Sequence, residues 1–444
     1  MQKEDNKKKA LQVSIKEGNA SAIATGIAET QVVPFALALN ASSFQIGLLN
    51  SLAGLISPLA QLYGDKLMEN HSRKTIVRRF VFWQSILWLA LISFAFLFWK
   101  GFFVDSLPIL FIIAYTLLAA LGGIAYPAWF SWMGDLVPEK ERGKYFGKRH
   151  KITGFFGLIA TLIGGLILDI SKTHGLVLFG FSIIFFIAFI ARMTSYSYFR
   201  KQYSPKFKLE RKYYFSIWSF IKRFDNFGKF AVYNAFFNLV LMIASPFFAV
   251  YMLKELNFSY LTFTIISMSS SIFILIFAPL SGKFADKYGN RKLFSLGCLL
   301  FSINPFLWMV FKAPVILILV QAISGLANAA HMLAITNFTY DSTSQKHRAL
   351  CITYTNILAG IGVFIGSLFG GFLVNYWRPS SLGPFMFVFL ISGIGRLAVS
   401  LFLVPRIKEQ KKVMPLKEPK INIMHPIKTF QHEVSFIKRF FLVV

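Results

Sequence analysis

The chain has 444 residues, 55% of them apolar and 51 of them phenylalanine, so about 244 apolar residues are available, enough for roughly twelve bilayer-crossing helices of about 20 residues. A mean hydropathy of +0.58 with only 15% charged residues excludes a disordered chain, a collagen-like chain and an ordinary soluble enzyme. The net charge of +28 would point a soluble protein toward nucleic acid; here it asks which side of a membrane the cations occupy.

The N-terminus, Met1 to Lys9, is strongly basic, and the stretch after it carries Glu17, Asn19 and Glu29. A cleaved signal peptide has a uniformly apolar core, so this stretch reads as a first span. A sliding hydropathy window places spans near 18–39, 44–67, 77–99, 107–133, 151–170 and 176–199, and again near 228–252, 260–282, 292–311, 314–338, 350–374 and 383–405. Basic residues crowd the N-terminus, the 2/3, 4/5, 6/7, 8/9 and 10/11 loops and the C-terminal tail, whereas the opposite loops hold Lys100, Lys172, Lys254, Lys312 and Arg378. The positive-inside rule therefore predicts that both termini are cytoplasmic and that the chain is a multi-pass protein of the plasma membrane. A missed or extra span would swap the side of every later loop and scramble that asymmetry, so the alternation also supports a count of twelve.

Between the sixth and seventh spans, residues 200–227 carry Lys206, Lys208, Arg211, Lys212, Lys222 and Arg223 among aromatic residues. Nucleic acid could use such a pattern, but between two spans it reads as a cytoplasmic linker lying on anionic lipid headgroups. The basic tail, 406–444, reads the same way. The expected organisation is a first bundle over 1–199, the linker 200–227, a second bundle over 228–405 and the tail. Cys298 and Cys351 form no framework, metal motif or haem-attachment motif, so no metal and no cofactor are expected.

The two halves repeat one another. Pro58, Asp65 and Lys66 recur as Pro279, Asp286 and Lys287 at one constant offset, and Arg73-Lys74 recurs as Arg291-Lys292. Pro34-Phe35 recurs as Pro246-Phe247. Asp135, Arg142 and Gly164-Gly165 recur at a second constant offset as Asp341, Arg348 and Gly370-Gly371, and Arg192 and Arg396 occupy similar places in the sixth and twelfth spans. With an even number of spans in each half, the copies enter the membrane in the same orientation.

The turn between the eighth and ninth spans reads Gly282-Lys283-Phe284-Ala285-Asp286-Lys287-Tyr288-Gly289-Asn290-Arg291-Lys292. It resembles the signature loop of the major facilitator superfamily. The first-half copy keeps Gly64-Asp65-Lys66 and Arg73-Lys74, but Gln61 replaces the leading glycine and a longer Met68 to Ser72 stretch replaces the turn glycine. With the Asp135-x-x-Pro138-x-x-x-Arg142-Gly143 run, the resemblance covers about residues 15 to 405. It implies an all-α integral membrane protein, with twelve transmembrane helices in two pseudo-symmetric six-helix bundles around a central cavity.

Each of Asp65, Asp135, Asp286 and Asp341 falls at the inner, C-terminal end of a helix, where the macrodipole disfavours a carboxylate, so each needs a partner. Two clusters are expected to close a cytoplasmic gate: Asp65 and Asp135 with Arg73, Lys74 or Arg142, and Asp286 and Asp341 with Arg291, Lys292 or Arg348. Lys66, Gly282 and Gly289 belong to the same turns. The alternative is solvated loop charges that merely obey positive-inside.

Glu29 is the one acidic residue near the middle of a predicted span, where an isolated carboxylate is costly. It is a candidate proton carrier or substrate contact, the alternative being a neutral carboxylic acid bonded within the bundle. The resemblance implies that spans one, four, seven and ten line the cavity, which makes Gln31, Tyr126, Trp129, Asn234, Asn238, Gln321, Asn328 and His331 candidate substrate contacts. Asn, Gln and His also join helices in membranes, so both readings stand. Arg192 and Arg396 are expected to snorkel toward the cytoplasm. Gly154, Gly157, Gly164 and Gly165, with Gly360, Gly366, Gly370 and Gly371, are expected to mark close packing in the fifth and eleventh spans.

No Walker loop is present, which argues against an ATP engine. The expected function is that of a secondary active transporter moving a small solute by alternating access, acting as a monomer, with protons as the candidate coupling ion and no nucleic-acid partner. The alternative is a non-transporting sensor or assembly factor on a transporter scaffold. An enzyme is not expected, since no nucleophile with its base is apparent. In the superfamily that the signature loop resembles, a Gly-Pro motif in the fifth span goes with antiporters; its proline is absent between Gly154 and Asp169, so export is not inferred.

Overall fold

The computed structural model describes residues 2–138, 141–205, 220, 222, 225–342, 348–377 and 382–409; the side chains of 2–5, 340, 341 and 348–350 also lie outside the described residues. Most of the linker segment 206–224 and the tail from residue 410 therefore lie outside it. Among the described residues the chain is all-helical. Twelve helices are long and apolar enough to cross a membrane: Asn6–Ala38, Ser43–Leu67, Arg73–Trp99, Leu107–Leu136, Arg142–Thr173 and Val177–Lys201, then Asn226–Glu255, Tyr260–Tyr288, Asn290–Val310, Pro314–Thr339, Cys351–Tyr376 and Pro384–Arg406. They are numbered span 1 to span 12.

Span 1 begins about a dozen residues, and span 5 about nine residues, before the hydropathy window places them. Both extensions are rich in Lys or Arg, which are compatible with helix but lower hydropathy, so the window registers the apolar layer and misses the helix that continues beyond it. Elsewhere polar side chains fix the starts. Ser42 and Gln45 form a reciprocal capping box before span 2, Ser72 accepts from the Thr75 backbone N–H before span 3, and Asp225 accepts from the Gly228 N–H before span 7.

The repeated Pro-Phe pair marks the helix breaks. Pro34 offers no N–H to the Thr30 carbonyl, and span 1 passes through a 3-10 turn at Glu29–Gln31 before resuming as Val32–Ala38. Span 7 is helical over Asn226–Ala244, breaks before Pro246, and ends in a π turn at Tyr251–Glu255.

The chain divides into two compact units, one of residues 1–212 with 246–265 and one of 213–245 with 266–444. Within the first, span 1 packs on spans 5 and 6, and span 3 packs on spans 4 and 6. Within the second, span 7 packs on spans 11 and 12, and span 9 packs on spans 10 and 12, so the neighbour pattern repeats as the sequence does. The first unit is cored at one end by Trp132, Met133, Leu136 and Phe199 and at the other by Phe35, Phe111, Phe181 and Phe185, with Phe35 pairing edge-on with Phe111 at 5.0 Å. Large apolar side chains such as Phe130, Phe155 and Phe179 point outward, the surface a lipid solvent requires.

Several helix pairs meet backbone to backbone. A Cβ on Gly26 would run into the Gly157 carbonyl of span 5, and one on Gly366 would run into the Leu239 carbonyl of span 7. Gly164 likewise abuts the Ile27 carbonyl, at 2.9 Å from the position of a Cβ, whereas a Cβ on Gly154 would meet open space, so Gly154 is not a packing glycine. Gly366→Ala is expected to force spans 7 and 11 apart and to lower stability by about 1–3 kcal/mol. A thermal melt of the purified protein checks this, with Gly154→Ala as the silent control.

Candidate functional site

Four polar residues of span 1 recur every fourth position: Glu17, Ser21, Thr25 and Glu29. A helix places such a series on nearly one face. In the first unit that face meets spans 3, 5 and 6, and their polar residues complete a buried chain of contacts. Arg149 Nη2 of span 5 donates to Glu17 Oε2 at 3.2 Å, and its Nε donates to the Ser14 carbonyl at 3.4 Å. Ser195 of span 6 donates to Glu17 Oε1 at 2.8 Å. One turn earlier in span 6, Arg192 donates to Ser21 Oγ at 2.6 Å and, through Nε and Nη2, to Gln84 Oε1 of span 3. Gln84 is fixed in turn by donating Nε2 to the Leu118 carbonyl. Gly18 leaves room for the ion pair, since a Cβ there would lie 2.6 Å from Arg149 Nη2.

Two cavities open along this chain. One, of about 240 Å³, is lined by Glu17, Ser21, Tyr126, Trp129, Arg149, Arg192 and Phe199, with the Arg149 guanidinium 5.0 Å from the centre of the Trp129 ring. The other, of about 60 Å³, is lined by Ser21, Thr25, Glu29, Gln84, Trp88 and Arg192. Ser21 and Arg192 belong to both, and Arg192 acts electrostatically on both Glu17 and Glu29. Two carboxylates and two guanidiniums thus lie along one face, where low dielectric strengthens each interaction.

The cavity candidates named from the sequence separate by half. Glu29, Tyr126 and Trp129 line the two cavities. Gln31 is fully buried and donates to Thr264 Oγ1 at 3.1 Å within the first unit. In the second unit Asn238 donates to the Asn234 side chain and carbonyl, Asn328 donates to the Ser324 carbonyl of its own helix, and Gln321 donates to the Ile266 carbonyl of span 8. His331 is buried among the rings of Phe237, Phe294 and Phe301, at 5.0 to 5.6 Å, which makes it a core side chain.

The two repeated turns differ. In the first unit Arg73 pairs with Asp135 at 2.7 Å and also donates to the Ser131 carbonyl and hydroxyl. Lys74 instead donates to the Gln202 carbonyl, and Arg142 donates to the Gly134 carbonyl; Asp65 is half-buried and Lys66 exposed. In the second unit Gly289 alone separates spans 8 and 9, with a φ of 98° that suits glycine. The Arg291 backbone N–H donates to Glu409 Oε2 at 2.8 Å, so a carboxylate from beyond span 12 seats at the start of span 9. Asn226 and Lys408 bond reciprocally beside it. Asp286 is exposed, Lys292 half-buried, and a Cβ on Gly282 would meet open space. The side chains of Asp341 and Arg348 lie outside the described residues.

The family model of the Major Facilitator Superfamily matches residues 19–237 and again 230–444, one copy on each half. The chain belongs to that superfamily. It is 31% identical over 101 residues to multidrug resistance protein 1 of Bacillus subtilis (strain 168), a stretch that is 23% of this chain and 26% of the relative. The chain therefore spans about a quarter of that relative's length. Its fold is similar to that of a bacterial homologue of the iron transporter ferroportin in the inward-facing state, with a TM-score of 0.69 at 14% identity over 90% of this chain and 98% of the other. It is also similar to a D-xylose-proton symporter, with a TM-score of 0.66 at 17% identity over 91% and 98%.

Within this superfamily member the two repeat arginines have diverged, and neither snorkels. Arg192 is held by Ser21 and Gln84 inside the first unit. Arg396 is 1% exposed and donates to the carbonyls of Phe301 at 2.9 Å and Leu241 at 3.0 Å. Pro305 explains the first acceptor: it lacks the N–H that would bond Phe301, so the carbonyl is left open for a side-chain donor. Partners within reach outweigh the pull of a distant headgroup region. Glu17, Arg149 and Gln84 were not singled out as site residues from the sequence; the four-residue period from Glu17 to Glu29 is the signal that reveals the first of them.

Proposed function

We propose that this chain is a secondary active transporter that carries a small solute across the plasma membrane by alternating access, coupled to protons, with both termini in the cytoplasm. The observation that carries the reading is the row of Glu17, Arg149, Arg192 and Glu29 along two cavities in the interior of a twelve-span chain. Glu29 and Arg192 fall within the apolar stretches of their spans, where charged groups are costly and are kept where a solute or proton passes. Glu29, in the 3-10 turn and on the wall of the smaller cavity, is the proton site in this reading. Tyr126 and Trp129 contact the solute, and Arg192 links the two, being shared by both cavities. The Arg73–Asp135 pair and the Gly289 turn with Arg291 and Lys292 serve as parts of the cytoplasmic gate, and the basic linker and tail rest on anionic lipid headgroups. The absence of a Walker loop from the sequence leaves an ion or solute gradient as the source of work.

Family membership and the proton symporter among its fold relatives support the reading, and the drug-resistance relative supplies a first set of solutes to try. Net flux separates it from a sensor on the same scaffold. In proteoliposomes containing the purified chain, a transporter accumulates or releases labelled solute under an imposed pH gradient; a sensor binds solute without net movement.

A further inference from the structure

The larger cavity carries both an aromatic wall and an unequal charge. It is small, about 240 Å³ against the roughly 300–1,000 Å³ of most ligand pockets, which suits a solute of one or two rings. Tyr126, Trp129 and Phe199 make its wall aromatic. Its charge is lopsided: two guanidiniums, Arg149 and Arg192, face one carboxylate, Glu17, and the bonds of Arg192 go to a hydroxyl and an amide, both neutral acceptors. The second carboxylate, Glu29, sits on the other cavity.

Arg149 decides the sign of the guest. Its guanidinium already covers the Trp129 ring, so a cationic solute finds the aromatic face occupied by a like charge. Its Nε and Nη2 are bonded to Ser14 and Glu17, which leaves Nη1 without a bond among the described residues. A small aromatic anion complements both features, since its oxygens accept from Nη1 while its ring packs against the aromatic wall of Tyr126 and Phe199 and the edge of Trp129.

We infer that this cavity binds a small aromatic carboxylate, with Arg149 as the anion contact and the wall of Tyr126, Trp129 and Phe199 packing against its ring. The inference rests on the proposal that this face of the first unit is the solute path, and it names the class of solute.

Three isosteric probes test it on the full-length purified chain: 2-naphthoate, 2-naphthamide and 2-naphthylmethylammonium, read by equilibrium binding and by shift of the thermal midpoint. The expected result is saturable binding of 2-naphthoate, at least tenfold tighter than the amide, with no stabilisation by the ammonium probe. The Glu17→Gln/Arg149→Gln double variant replaces the ion pair by an amide pair of similar shape and should keep the fold while losing the carboxylate preference. Trp129→Leu should weaken all naphthyl binding. Preference for the ammonium probe, binding of no probe, or carboxylate binding unaffected by the double variant each overturns the inference. Transport itself is judged separately by the flux assay, so failure of the solute class and failure of the transport reading are distinguishable.

Discussion

Glu17→Leu in the otherwise intact chain is expected to lower stability by about 3–5 kcal/mol, because it leaves the Arg149 guanidinium buried without its counter-charge. Arg149→Leu should cost about as much for the mirror reason. The double variant Glu17→Leu/Arg149→Leu should recover most of the loss, since replacing both members of a buried pair by apolar groups is often close to neutral. Both side chains are nearly inaccessible, at 3% and 10% exposed, so solvent does little to screen the pair. Thermal melts of the four proteins in one detergent give the coupling directly. Simple additivity would mean that the pair does not act as a unit. The double variant should also separate stability from function, folding well and failing to move solute.

Arg396→Met is the second large effect. The Phe301 carbonyl loses its donor, and a buried acceptor left unpaired costs about 1–3 kcal/mol. The Leu241 carbonyl suffers less, because it also accepts from the Ser245 N–H and hydroxyl. The cause can be tested by supplying the missing donor. Pro305→Ala restores an N–H four residues after Phe301, so Arg396→Met should cost markedly less in a Pro305→Ala background than alone. Equal cost in both backgrounds would show that Arg396 does something other than satisfy the carbonyl that Pro305 leaves open.

Much of the architecture is visible in the residues because a bilayer imposes one rule on every span: about 20 apolar residues with their backbone bonded internally. The twelve spans, the Pro-Phe pair at the breaks and the doubled turns all follow from patterns within a few residues of one another. The site is harder to read. Glu17 and Arg149 lie on helix ends that hydropathy treats as loop, although Glu17 shares a strict period of four with Ser21, Thr25 and Glu29. The arginines looked able to snorkel because sequence shows length of side chain but not the Gln84 amide or the Phe301 carbonyl waiting nearby. Asn238 and Asn328 are cavity candidates by the spans they sit on, yet each bonds its own helix, and membership of a span cannot tell an inward amide from one that folds back. Glu409 meets Arg291 from far along the chain, a contact with no local signal.

The central claim, that protons move with solute through Glu29, is tested most directly by solute-driven proton movement. Proteoliposomes carrying a pH-sensitive dye are given a solute gradient and no imposed pH gradient, with wild-type protein and with Glu29→Gln. The account predicts a pH change with wild type that disappears in Glu29→Gln, while solute exchange persists. An unchanged proton signal in Glu29→Gln would contradict it.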